Sequence, residues 1–324
     1  MSKRKKIIAI MIVIAVVLLV GLFGYGIWKK YAAKETAKEN TEEYEGESYI
    51  TYKGKRYEYN YHLKNMLFIG VDKSQEMTET EVGQGGQADT LILLSMDREN
   101  KTTTLLQIPR DAMTDIDIYD MNGEYLSTER GQISLQYAYG DGKKKSCRMM
   151  MTSVSELLYE IPIDSYLALG VDGIADITNL MGGVTLTVPE DYTDIDPAFK
   201  AGETIVLAGE QAEKYVRYRD VNVSGSNTQR MERQAQFMEA LARQMQGKDT
   251  GWYRQLLEGA KEYITMDLSV DEMERMKSYE MKETIEKVPG EVKQGEEHDE
   301  FIVDNEKLRD LVIKLFYLSL IHIS

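Results

Sequence analysis

Four arginines, Arg217, Arg219, Arg230 and Arg233, stand close together in an otherwise acidic chain. In an extended segment Arg217 and Arg219 would point to one face. On a helix Arg230, Arg233 and Gln234 share one face, and Ser226-x-x-Gln229 after Gly225 is a helix start signal of the capping-box kind. Arginines in the first turns of a helix oppose its macrodipole, which favours anions there. They fit better around a bound anion, because guanidinium forks take phosphate oxygens two at a time and a helix N-terminus adds backbone donors. The chemistry suggested is a phosphate or pyrophosphate site. By charge pattern alone, a solvated helix whose arginines pair with Glu210, Glu213 and Glu232 is the slightly simpler reading.

The elements that must position these residues alternate between strand and helix. Apolar runs at 65–72, 90–96 and 102–108 predict buried strands, the last two joined as a hairpin through 97–101. The polar, glycine-rich segment 74–88 reads as a long loop. Its Gly83-x-Gly85-Gly86 is no nucleotide fingerprint, since a strand follows it rather than a helix. Helical spacing is expected over 132–139 and 146–159, followed by a strand at 165–171 and a helix that Asp172 would cap and Gly182-Gly183 would end. A strand at 184–188, helices at 208–216, 229–246, 252–263, 270–279 and 305–317, and a strand at 300–303 complete the pattern. The fold expected is α/β, a central mixed sheet flanked by helices in an α/β/α sandwich, with one N-terminal transmembrane helix.

Charge and hydropathy bound the partners. Residues 7–27 carry no charge and are long enough to span a bilayer, while Lys3, Arg4, Lys5 and Lys6 ahead of them hold the N-terminus in the cytoplasm. The organisation expected is a basic tail at 1–6, the membrane helix at 7–27, a stalk at 28–60, an extracytoplasmic domain at 61–317 and a doubtful tail at 318–324. Six of the 39 basic residues and none of the 54 acidic ones lie in the first 30 positions, which leaves the remainder at 33 against 54, a net charge of −21. Such a domain will not bind nucleic acid through bulk charge, and any anion site must be a local basic cluster. The single cysteine, Cys147, excludes an intrachain disulfide and a cysteine-based metal cage.

Several segments carry a resemblance in a fixed order. They are Asn65–Asp72, Ala88-Asp89-Thr90, Ile108-Pro109-Arg110-Asp111, Ala138-Tyr139-Gly140, Met181–Val184, Leu207–Ala212, Tyr215-Val-Arg217-Tyr-Arg219 and Arg230-Met-Glu-Arg233-Gln234. Together they resemble the LytR-CpsA-Psr family of cell-wall glycopolymer ligases over most of residues 60–317. The resemblance implies a phosphotransferase that moves an anionic glycopolymer from a polyprenyl-pyrophosphate carrier to peptidoglycan, with an apolar channel for the lipid tail. It implies catalytic roles for Arg110, Asp89 and Asp72, pyrophosphate binding by Arg110, Arg217, Arg219, Arg230 and Gln234, and Mg²⁺ or Mn²⁺ on Asp72 and Asp89. Read as residues alone, the two aspartates are ordinary strand-end turn or cap residues.

Three positions depart from the family pattern. Gln87 and Gln132 stand where arginine and lysine are common, and Asn227 falls near a usual aspartate. Fewer cations weaken pyrophosphate neutralisation, so two further functions stay open: a non-catalytic holder of lipid-linked pyrophosphate, and a pyrophosphatase of lipid carriers. All three share one expectation, a deep apolar pocket whose mouth carries Arg110, Arg217 and Arg219.

Overall fold

Apolar residues occupy consecutive positions in the strands predicted around 65–72, 90–96 and 102–108, so both faces of the sheet they form must be covered. The computed structural model meets that requirement. It describes residues 49–73, 76–220, 226–245, 248–276, 278–282, 284–295 and 299–320. The expected membrane helix at 7–27 lies outside the described residues, among which no helix is long and apolar enough to cross a membrane.

The chain divides into two units. The smaller comprises residues 1–59 and 317–324. Strands β1 (Tyr49–Tyr52) and β2 (Lys55–Tyr59) form a hairpin through Lys53 and Gly54, whose φ angles of 49° and 76° suit a two-residue turn. A third strand, Tyr317–Ser319, pairs antiparallel with β2. Part of the expected stalk is therefore strand, and so are Leu318 and Ser319 of the expected tail. Charged and half-exposed residues along this hairpin left no apolar run to announce it.

The larger unit, residues 60–316, is built on a seven-stranded mixed sheet. Strands β3 (Leu63–Val71), β4 (Ala88–Asp97) and β5 (Thr102–Ile108) run antiparallel in sequence order, the last two as the predicted hairpin. After them come an exposed hairpin, β6 (Met113–Tyr119) and β7 (Tyr125–Gln132), a 3-10 helix at Ile133–Tyr139, and α1 (Lys144–Leu157). Strand β8 (Ser165–Gly170) joins β3 in parallel. Helix α2 (Gly173–Met181) ends at Gly182, whose φ of 77° is the left-handed stop the sequence predicts. Asp172 occupies the N-cap of α2 but its side chain makes no capping bond, because its backbone is already helical.

Strands β9 (Val184–Thr187) and β10 (Thr204–Leu207) form a separate ribbon ahead of α3 (Gly209–Arg217). Helices α4 (Ser226–Met245), α5 (Thr250–Ala260) and α6 (Val270–Met276) follow, with β11 (Ile264–Met266) pairing β8 between the last two. Helix α4 starts at Ser226, as the start signal predicts, although that side chain and that of Asn227 lie outside the described residues. Two short strands, β12 (Glu280–Met281) and β13 (Glu286–Lys287), run parallel to the outer edge of β5. A hairpin of β14 (Gly290–Gln294) and β15 (Asp299–Val303) leads to α7 (Asn305–Phe316).

The pleat divides the core in two. Phe68, Ile92, Leu94, Leu105 and Leu169 face one layer of helices through Ile177, Tyr215, Phe237, Leu241 and Leu256. The alternate positions Leu67, Ile69, Leu91, Leu93 and Leu106 are equally buried on the opposite face, where the 3-10 helix and α1 pack.

Candidate functional site

Strand ends place the polar residues. Asp72 follows β3, Asp89 opens β4, and Arg110 follows β5. The loop after Asp72 returns close upon it: the Asp72 amide donates to the Gln87 carbonyl at 3.0 Å, and Gly86 (φ 84°) lies so near that a Cβ there would sit 3.0 Å from the Asp72 carbonyl oxygen. Only glycine combines that backbone with that approach.

Asp89 is the hub. Its Oδ1 accepts from Nη1 of Arg110, and its Oδ2 accepts from Nη1 of Arg230 at 3.2 Å. Arg110 is held on two further sides, with Nη2 donating to Oε1 of Gln87 at 2.9 Å and Nε donating to Oδ1 of Asp111 at 3.2 Å. Asp111 is buried, and it also accepts from Nε2 of Gln132 at 3.0 Å. The same Nε2 reaches the Asp299 carbonyl at 3.1 Å, which ties the 290–303 hairpin to the site.

Burial raises the Asp111 carboxyl above its ordinary range against the pull of Arg110, Arg219 and Arg230. Burial likewise lowers the Arg230 guanidinium, against the pull of Asp89. Arg219 belongs to this group by its field, since it acts on both Asp111 and Arg230. Arg110, Arg219 and Arg230 thus gather around Asp111 in a half-buried setting, with Asp89 bridging two of them.

Arg217 stands apart from Arg219. It is the last residue of α3 and not part of an extended segment, so the expected common face does not form. Its partners are Glu213, one helical turn back at 2.9 Å, and Asp72 at 3.6 Å. The hydrogen bond it donates to Glu213 holds its pKa above the ordinary arginine value. Of the alternative pairings, only Arg217 with Glu213 forms among the described residues, for Glu232 pairs with Lys287 at 3.1 Å.

On α4 the shared face splits by function. Arg230 and Gln234 line a cavity, while Arg233 turns to the end of α3, donating to the carbonyls of Tyr215 (2.8 Å) and Tyr218. Gln234 also donates to the Val216 carbonyl at 3.1 Å. Arg233 lies over the Tyr192 ring at 5.1 Å and, like Arg230, has its pKa lowered by burial. It fixes the helix that carries Arg217.

The cavity holds about 680 Å³ of space, with Asp72, Asp89, Arg217, Arg230 and Gln234 at its polar end and Phe68, Leu169, Ile177, Phe237 and Leu241 beyond them. A second, almost wholly apolar cavity of about 1060 Å³ adjoins it, for Phe68, Leu169, Ile177, Met238 and Leu241 line both. The expected apolar pocket is present. Its mouth differs from expectation: Arg217 and Arg230 line it, Arg110 stands behind Asp89, and Arg219 is not among the lining residues.

Gln87 and Gln132, read from sequence as lost cations, have positive tasks. One orients Arg110 and the other holds Asp111. Neither these tasks nor the burial of Asp111 is visible in the sequence, because both depend on contacts across strands. Asn227 has no described side chain. His62 is exposed beside Glu99 at 3.7 Å, and His298 lies outside the described residues. Among the described residues, no group of three or more His, Cys, Asp or Glu side chains could hold a metal ion.

The LytR_cpsA_psr family model matches residues 26–315. A polyisoprenyl-teichoic acid–peptidoglycan teichoic acid transferase, TagV of Bacillus subtilis, is 30% identical over 253 residues, which span 75% of this chain but only 58% of TagV. TagU of Halalkalibacterium halodurans, of the same description, is 26% identical over 85% of this chain and 84% of its own. The crystal structure of B. subtilis TagV superposes with a TM-score of 0.60 at 25% identity, covering 79% of this chain and 97% of that one. TagT bound to LIIa-WTA shares the fold, with a TM-score of 0.58 at 22% identity over 79% of this chain and 90% of its own.

Proposed function

The chain belongs to the LytR_cpsA_psr family, and from that premise we propose that it is a membrane-anchored extracytoplasmic phosphotransferase. It moves an anionic glycopolymer, of the teichoic-acid kind that names its relatives, from a polyprenyl-pyrophosphate carrier to peptidoglycan. The observation that carries this reading is the junction of two environments: a charged mouth bearing Arg217 and Arg230 at one end of an apolar cavity that adjoins a second, larger apolar one. A lipid pyrophosphate has that polarity. Each CH₂ buried from water contributes about 0.8 kcal/mol, so the tail supplies affinity and the headgroup supplies register.

Phosphoryl transfer asks the protein for position and charge more than for covalent help. Arg217 and Arg230 hold the pyrophosphate oxygens at the mouth. An acceptor hydroxyl oxygen attacks the phosphorus that carries the glycopolymer and gives up its proton to solvent. The P–O bond to the bridging oxygen breaks, polyprenyl phosphate leaves, and the new link is a phosphodiester. Arg110, steered by Gln87, Asp89 and Asp111, stabilises charge that builds on the non-bridging oxygens.

Asp72 and Asp89 share the cavity mouth, a donor set that suits a hard divalent cation completing its shell with phosphate oxygens and water. Mg²⁺ or Mn²⁺ bound there would neutralise phosphate charge as a Lewis acid. Both Asp89 oxygens are engaged by guanidinium groups, so occupancy requires Arg110 or Arg230 to turn toward the substrate. That engagement also favours a second reading, in which the protein holds lipid pyrophosphate without turning it over. The anchor is the 7–27 segment, which leaves the large unit outside the cytoplasm.

The test supplies the full chain with a polyprenyl-pyrophosphate glycan, Mg²⁺ and peptidoglycan oligomers. Mass spectrometry should find the phosphodiester adduct. Free polyprenyl phosphate without adduct would make the protein a hydrolase, and unchanged carrier would make it a holder. With Asp89→Asn, turnover should vanish while metal-free binding of a short-chain analogue stays the same or tightens.

A further inference from the structure

A second basic cluster lies on the far side of the cavity wall. Lys143, Lys144 and Lys261 rim an open cleft of about 550 Å³ floored by Leu257, Ile264 and Met266. In a domain so rich in carboxylates, neither Lys143 nor Lys144 pairs with one among the described residues. Lys261 pairs with the exposed Glu258 and also lies in the field of Glu262. Lys143 and Lys144 stand at the start of α1, where cations oppose the macrodipole and Asp141 supplies the acceptor for the amides of Lys143, Lys145 and Ser146, whereas Lys261 closes the C-terminus of α5.

The floor is what distinguishes this cleft from a simple phosphate trap. Leu257 and Ile264 line both the cleft and the deep apolar cavity, so at this point the cavity wall is one side chain thick. Ammonium groups on long stems around partly buried apolar side chains that still reach the surface suit a bilayer face, where the stems lie along apolar matter and the heads meet lipid phosphates.

We propose that the cleft between α5, β11 and the start of α1 docks on an anionic phospholipid bilayer and sets the thin wall of the cavity against the membrane that supplies the carrier. The inference rests on the lipid-carrier reading above. Each basic residue at an anionic surface contributes about a fivefold preference, so three lysines give a preference on the order of a hundredfold.

The test uses the full chain in lipid nanodiscs, with Glu258→Cys carrying an environment-sensitive fluorophore beside Leu257. Cys147 is buried and its thiol is pushed up to about 12, so the introduced cysteine labels alone. Quenching by doxyl-labelled lipid should be strong in discs rich in phosphatidylglycerol and severalfold weaker in phosphatidylcholine discs. Lys143→Glu, Lys144→Glu and Lys261→Glu together should reduce it to the phosphatidylcholine level. The three Gln replacements should fall between, and they carry the test if the Glu variant does not fold.

Equal quenching in all variants, or none in any disc, overturns the proposal. So does its reversal by soluble poly(glycerol phosphate) at constant ionic strength, which would assign the cleft to a polyanionic glycan. A short-chain pyrophosphate lipid added from solution should bind wild type and variants alike. If wild type fails to bind it, the lipid-carrier reading fails, independently of the docking result.

Discussion

Arg230 and Arg233 lie one turn apart on α4, both buried, both with pKa values that burial lowers. Their partners differ in kind. Arg230 meets a carboxylate at a cavity mouth, and Arg233 meets the carbonyls that end α3. A carboxylate and a phosphate are alternatives for a guanidinium, so the first arrangement can exchange partners when an anion arrives. Carbonyls at a helix terminus have no other donor waiting, so the second arrangement is permanent. Identical residues on one helix thus divide into one that binds and one that holds the binder's frame.

The comparison breaks most visibly at Arg233. Arg233→Ala leaves two carbonyls without their donor and should cost about 3 kcal/mol of stability, read by urea denaturation. A loss below about 1 kcal/mol would remove its structural role. Arg230→Ala should do the converse. Its main effect is on short-chain pyrophosphate lipid, whose affinity measured by calorimetry should fall by roughly tenfold to a hundredfold, the worth of one charged hydrogen bond. Unchanged affinity would place the anion elsewhere.

Arg217→Ala sharpens the contrast at an exposed position. Its ion pairs with Asp72 and Glu213 are solvent-screened, so the melting temperature should scarcely move while lipid affinity drops about tenfold. The smallest effect is a pH trend. Asp111 has a raised pKa, so just above the ordinary carboxylate value the folded protein keeps a proton that the unfolded chain has released. Wild-type stability therefore falls as pH rises from the ordinary value of 3.8 through the raised one. Asp111→Asn lacks that slope, and its melting temperature relative to wild type should climb across the window. A flat difference would mean that the arginines, not burial, control this carboxyl.

How far the sequence made this legible follows from where each signal lives. Strands β3, β4 and β5 are doubly covered, so their apolar runs stood out, and Gly182 marked the stop of α2. The β6–β7 hairpin went unread because most of it is exposed or half-exposed and shows no clear alternation. The arginine cluster and the strand-end aspartates were visible by type. Their assignment was not, because Arg110 finds Asp89 across two strands and Arg233 finds α3 across a loop. Charge counting likewise took Gln87 and Gln132 for deficits, when each is a hydrogen-bond partner fitted to a charged neighbour.

The outer edge of β5 bears on how the molecule keeps company. It is closed by two short strands rather than by one long one, with Glu280, Met281 and Lys282 on the first stretch and Glu286, Lys287 and Pro289 on the second. Backbone bonds from Glu280, Lys282 and Val288 satisfy β5 at intervals. A strand from a neighbouring copy would have to displace both pieces and bring its backbone against alternating charges and a proline that cannot donate. The large sheet therefore offers no continuous ladder to a second molecule on this side, and a protein crowded with its own kind at one surface gains resistance to edge-to-edge aggregation there.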